Sequence, residues 1–191
     1  MTKYLRLALF SLSALLFSET LALAGTTQTG PSTTRLATMK LAVTSPAFHD
    51  GQTIPKEYTA DGKNVSPPIK WSTPPNGTKS LALICEDPDA PAGTWVHWVV
   101  YGIPAGATGL AESVPSEGKL ANGAKQGTNS FRKVGYGGPS PPPGKPHRYF
   151  FKVYAVDFDL SSEAHADAKQ IEEKIAGHTL AAGQLIGTYG R

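Results

Sequence analysis

The sequence predicts a mainly β fold, two antiparallel sheets forming a sandwich with a C-terminal helix, and three observations carry that prediction. The 191 residues include 20 Gly and 16 Pro, a density that favours many short elements joined by turns over long helices. Three runs, 81–86, 94–103 and 148–158, are apolar on both faces, as central strands covered on each side are. Only the stretch after Ser161 spaces its apolar residues convincingly at helical intervals. With 40% hydrophobic and 17% charged residues, the chain can bury a sizeable core.

Lys3 and Arg6 precede an apolar run from Leu7 to Phe17, and Ala22-Leu23-Ala24 supplies small residues before a cleavage point. This is the layout of a secretory signal peptide over 1–24. The run is shorter than the roughly 20 residues that a spanning helix needs, and no Cys follows Ala24 to carry a lipid anchor. Residues 25–38 are rich in Thr, Ser, Gly and Gln and read as a flexible linker; 39–191 reads as one domain. The localisation expected is therefore the periplasm or the medium. Cys85 is the only cysteine, so no internal disulfide forms and packing alone stabilises the domain. A net charge of +3 without any block of like charges argues against nucleic-acid binding.

Within the domain, 40–45 and 69–72 are short strand candidates separated by turn-rich segments containing His49-Asp50-Gly51 and Asp61-Gly62. Leu81 to Glu86 is a compact apolar strand. Thr94 to Ile103 alternates, with Trp95, His97, Val99 and Tyr101 expected on one face and Val96, Trp98 and Val100 on the other. Arg148 to Phe158 sets Tyr149, Phe151, Val153 and Ala155 opposite Phe150, Tyr154 and Val156. Ser161 or Ser162 is placed to cap a helix carrying Ala164, Ala168, Ile171 and Ile175, stopped by Gly177. A short helical turn over 180–185 is expected before a terminal segment 186–189.

The chemistry-bearing residues bracket the three best strands. Asp87-Pro88-Asp89-Ala90-Pro91 ends the first, Trp95-Val96-His97-Trp98 opens the second, and the Gly/Pro segment 135–146 leads into His147-Arg148-Tyr149 at the head of the third. If 81–86 pairs antiparallel with both of the other strands, Asp87, His97 and His147 meet at one sheet edge. Glycines in 135–138 allow close backbone approach, and the five prolines at 139, 141, 142, 143 and 146 stiffen a wall poor in N–H donors.

These motifs, in this order and spacing, together with Gly177-His178-Thr179-Leu180 and the closing Gly187-Thr188-Tyr189-Gly190-Arg191, resemble the phosphatidylethanolamine-binding protein family, in its bacterial Raf-kinase-inhibitor-like branch. The resemblance spans about 39–191. It implies a small anion pocket for phosphate-type groups or phospholipid head groups, formed by Asp87, Ala90, Pro91, Trp95, His97, Pro141, Pro142, His147 and Tyr149, with Gly138 and Pro139 as rim. Pro141-Pro142-Pro143 offers two ways to place the family's Pro-Pro pair.

Physically, Asp87 or Asp89 can accept a ring N–H and set a histidine tautomer, while protonated His97 and His147 donate to the anion. Binding should then tighten as pH falls through the histidine range, near 6.5 when unperturbed. A free carboxylate is also expected to suit the ammonium of an ethanolamine head group. No cofactor is expected. Two other function classes compete with binding. A metal-assisted or triad hydrolase lacks a Gly-x-Ser-x-Gly, His-Glu-x-x-His or Cys-x-x-Cys signature in this chain. An inhibitor of an extracytoplasmic hydrolase or host target would use the exposed loops 104–133 and 139–146.

Overall fold

The computed structural model describes residues 38–163 and 165–191. The leader over 1–24, nearly all of the linker over 25–38, and Ala164 lie outside the described residues. Nine strands run in chain order: β1 (Met39–Lys40), β2 (Val43–Thr44), β3 (Ile69–Trp71), β4 (Ser80–Asp87), β5 (Trp95–Pro104), β6 (Gly109–Leu110), β7 (Lys125–Gln126), β8 (His147–Val156) and β9 (Thr179–Tyr189). Among the described residues one α-helix, α1 (Ala168–Ile175), precedes β9. A six-stranded sheet has the order β1-β9-β8-β4-β5-β7, and a three-stranded sheet the order β2-β3-β6. All pairings are antiparallel except β1 with β9.

The large sheet is covered on both faces, as its doubly apolar strands require. Leu83, Cys85, Trp98, Val100, Phe151, Val153 and Leu185 face the small sheet, meeting Leu41, Val43, Ile69 and Trp71. On the other face Ala82, Ile84, Val99, Tyr101 and Val156 pack with Leu160, Ile171 and Ile175. Each large side chain buried this way contributes about 1.5–3 kcal/mol relative to an exposed one.

Four local expectations are corrected. The 40–45 segment is two strands in different sheets: Leu41 N–H donates to Ala182 of the large sheet, and one residue later the Ala42 carbonyl accepts from Ser72 N–H of the small sheet. The helix is capped by Asp167, not Ser161 or Ser162. Asp167 accepts from Gln170 N–H while the Gln170 side chain accepts from Asp167 N–H, a reciprocal capping box. Ser161 is instead held by the Asp159 carboxylate through its N–H and hydroxyl.

The expected turn over 180–185 is part of one continuous strand, β9, whose small residues suit close packing. A Cβ on Gly183 would lie 2.0 Å from the Leu41 carbonyl oxygen. Finally, the facing of β5 changes along its length. Cys85 pairs with Trp98 and Glu86 with Val96, leaving His97 as the extra residue of a β-bulge. Trp95 and His97 therefore share the inter-sheet side with Trp98 and Val100, whereas Val99 and Tyr101 face the helix. A second irregularity places Gly102 at φ +62, where a Cβ would come 2.9 Å from Ser161 Cα.

Candidate functional site

Strand β4 lies between β5 and β8 and runs antiparallel to both, so the end of β4 and the starts of the other two converge. There a cavity of about 390 Å³ is lined by Asp87, Ala90, Pro91, Ala92, Trp95, His97, Phe131, Ser140, Pro141, Pro142, His147 and Tyr149. Nine of the twelve expected residues thus meet in one place. Asp89, Gly138 and Pro139 do not line it, while Ala92, Phe131 and Ser140 join it unforeseen.

The floor is polar and deeply buried: Asp87, His97, His147 and Tyr149 are all at most 9% exposed. Asp87 follows the last apolar residues of β4 and turns the chain, its Oδ1 accepting from Asp89 N–H at 2.8 Å. Its Oδ2 accepts from His147 Nδ1–H, also at 2.8 Å. His97 Nδ1–H donates to the Gly137 carbonyl at 2.5 Å, and Gly137 N–H returns a bond to the His97 carbonyl. Both ring partners are acceptors, so each histidine carries hydrogen on Nδ1 and keeps Nε2 for a ligand.

Burial holds the His97 imidazole below the ordinary histidine range, an effect that the Gly137 carbonyl and the Asp87 charge only partly offset. Burial thus disfavours the imidazolium form of His97 in the protein without ligand. Tyr149 stands edge-on to the His97 ring, with centroids 5.1 Å apart. Its hydroxyl is the buried side-chain polar atom left without a hydrogen bond among the described residues. Burial, then the charge of Asp87 and a contact of the hydroxyl with that carboxylate that falls short of a hydrogen bond, raise its pKa.

Both carboxylates are already engaged within the protein. Asp87 spends both oxygens as described, and Asp89 takes a two-pronged contact from Arg148 plus that residue's backbone N–H. The guanidinium holds the Asp89 carboxyl down at about 2. Gly138 and Pro139 brace the wall from behind: Gly138 N–H donates to Asn64 Oδ1 at 2.7 Å, and the Pro139 carbonyl accepts from Ala60 N–H at 2.9 Å.

The mouth is apolar. Phe131 meets both Trp95 and His97 edge-on, at 5.4 Å between centroids in each case. It rides on a turn built around Asn129, whose Oδ1 accepts from the N–H groups of Phe131 and Lys133 and whose amide donates to the Gly135 carbonyl. A lone aromatic in a polar turn, Asn129-Ser130-Phe131-Arg132, was the available signal for it. Ser140 and Ala92 carried none beyond their neighbours.

The profile of the phosphatidylethanolamine-binding protein family matches residues 44–190. A UPF0098 protein of Methanothermobacter thermautotrophicus is 50% identical over 145 residues, covering 76% of this chain and 95% of that one. A UPF0098 protein of Aquifex aeolicus is 49% identical over 153 residues, covering 79% and 89%. Among solved structures, the phosphatidylethanolamine-binding protein homologue CT736 of Chlamydia trachomatis is similar with a TM-score of 0.72 at 39% identity, over 80% of this chain and 98% of that one. E. coli YbcL, described as a member of the mammalian PEBP family, reaches 0.73 at 33% identity, over 80% and 99%. The chain belongs to the phosphatidylethanolamine-binding protein family.

Proposed function

We propose that this chain is an exported binding protein whose cavity takes the phosphate group of a small ligand or phospholipid head group. The observation that carries the reading is the Tyr149 hydroxyl, buried at the cavity floor with no hydrogen-bond partner among the described residues. A buried polar group left unpaired costs about 1–3 kcal/mol, and a ligand oxygen relieves that cost. With each histidine held through Nδ1, the two Nε2 atoms complete a polar floor beneath an apolar mouth.

The uncharged state of His97 sets which ligand protonation state fits. A neutral Nε2 only accepts, so a phosphate monoanion can meet it with its own P–OH. Alternatively the ring takes up a proton as a dianion binds. Either route brings one extra proton into the complex, and affinity rises as pH falls.

The reading is of binding rather than catalysis. Among the described residues no hydroxyl or thiol hydrogen-bonds to either imidazole to serve as a nucleophile. The test is a titration of the protein with inorganic phosphate and phosphoethanolamine at pH 5.5 and 7.5, following the ring nitrogens of His97 and His147 by NMR. Saturable shifts of both rings, stronger at pH 5.5, with the His147 shift lost in the double variant Tyr149→Phe with His97→Ala, support the reading. Unmoved rings at millimolar ligand overturn it.

A second reading, modulation of another protein through the loops at the mouth, draws on Phe131, which is 38% exposed on its turn. Because Phe131 also lines the cavity against His97, the discriminating change lies elsewhere on the loops: Arg132→Ala would abolish such modulation and leave phosphate binding nearly intact.

A further inference from the structure

We propose that Arg191 is a positioning residue for the cavity: through Asp61 it holds the 58–64 segment as a bracket that sets the Gly137 carbonyl and, with it, the His97 ring. The contacts form an unbroken series. Arg191 Nε and Nη2 both donate to the Asp61 carboxylate, Nε reaching Oδ2 at 2.8 Å, and the Tyr189 hydroxyl donates to the same oxygen at 2.9 Å. Asp61 is thereby fastened to the end of β9. The rest of its segment holds the wall of the cavity at three successive points. Tyr136 Oη–H donates to the Tyr58 carbonyl at 2.8 Å, Gly138 N–H to Asn64 Oδ1 at 2.7 Å, and Ala60 N–H to the Pro139 carbonyl at 2.9 Å.

Gly137 lies between these anchors, and its carbonyl is the acceptor for His97 Nδ1–H. The fit leaves no slack: a Cβ on Gly138 would sit 2.7 Å from Asn64 Oδ1 and 2.8 Å from the Thr59 backbone. Asn64 itself holds a left-handed backbone, φ 56, unusual for a residue other than Gly, and its side chain accepts the Gly138 bond from that conformation. A constellation is only as well placed as the groups that hold it, so loosening this bracket misplaces the wall and the ring together.

The test compares the wild-type protein with Arg191→Ala, Arg191→Lys and Asn64→Gly. Asn64→Gly keeps the left-handed backbone without strain and removes only the side-chain acceptor. The first readout needs no ligand: the ring nitrogen shifts of His97 report how firmly Nδ1 keeps its hydrogen. Arg191→Ala and Asn64→Gly should both move them toward a mixture of tautomers, with Arg191→Lys intermediate because an ammonium lacks the guanidinium fork. Asp167→Ala, which weakens only the helix cap, serves as a control for stability loss and should leave them in place.

The second readout rests on the phosphate reading: affinity for inorganic phosphate should fall roughly fivefold or more in both variants. If the wild-type protein binds no phosphate, that reading fails while the ring shifts still decide this one. His97 shifts unchanged in Arg191→Ala and Asn64→Gly overturn the proposal. If Arg191→Ala does not fold, Arg191→Lys decides the role of Arg191 and Asn64→Gly that of the bracket, and unchanged His97 shifts in both overturn the proposal.

Discussion

At the scale of single residues, Tyr149 carries opposed demands. Its hydroxyl is buried unpaired in the free protein, so Tyr149→Phe should raise the stability of the ligand-free chain by about 1 kcal/mol. The same change should weaken phosphate binding roughly tenfold, the worth of one hydrogen bond to a charged group. Chemical denaturation and a phosphate titration of one variant check both signs. A loss of stability would mean that the hydroxyl is satisfied in the free protein. Asp87 has the reverse character, because both of its oxygens are engaged. Asp87→Ala strands the His147 Nδ1–H and the Asp89 N–H together and should cost about 2 kcal/mol or more, along with the fixed tautomer that binding uses. Asp87, His97 and His147 were legible from their joint placement at strand ends, and Tyr149 from the family resemblance. Their states were not: that burial disfavours the charged form of His97 and that Asp89 is spent on Arg148 depend on burial and on a neighbour, neither of which a linear pattern displays.

At the scale of elements, the long strands were readable and their irregularities were not. β4 and β8 obey simple alternation, and their two faces fall where the pattern puts them. β5 departs from it because His97 is inserted as a bulge, which turns two neighbours, His97 and Trp98, to the same side. Without the bulge His97 would face the helix side, so this irregularity delivers the ring to the cavity. The helix cap was misplaced for a related reason: Ser161 and Asp167 are both competent caps, and Asp159 captures the former in a turn. Asp167→Ala should lower stability by about 1 kcal/mol in denaturant titrations and leave phosphate binding unchanged, because α1 covers the face of the sheet away from the small sheet. Gly102→Ala should cost more, about 1–3 kcal/mol, since it imposes both a positive φ and contact with the Ser161 backbone.

At the scale of the whole molecule, the buried histidine links stability to pH. The His97 pKa lies below its ordinary value of 6.5 in the folded state, so the unfolded chain binds the proton more readily. That contribution to stability is complete above about pH 6.5 and is lost as pH falls toward the folded value. Under the proposed function phosphate would act in the opposite sense, favouring the complex with the extra proton. The rise in melting temperature that saturating phosphate produces should therefore grow from pH 7.5 to pH 5.5, and a constant rise across that range would show that no proton accompanies the ligand. The placing of β4 between β5 and β8 bears on speed as well as on the site. Glu86 meets Phe150 and Ser80 meets Val156, so the central pairing closes loops of 64 to 76 residues before it repays any entropy. A sheet assembled from such distant partners folds over milliseconds to seconds rather than microseconds, and stopped-flow refolding should find its principal phase there. The convergence of strand ends that builds the cavity is also what makes the chain wait for its own far end before it can fold.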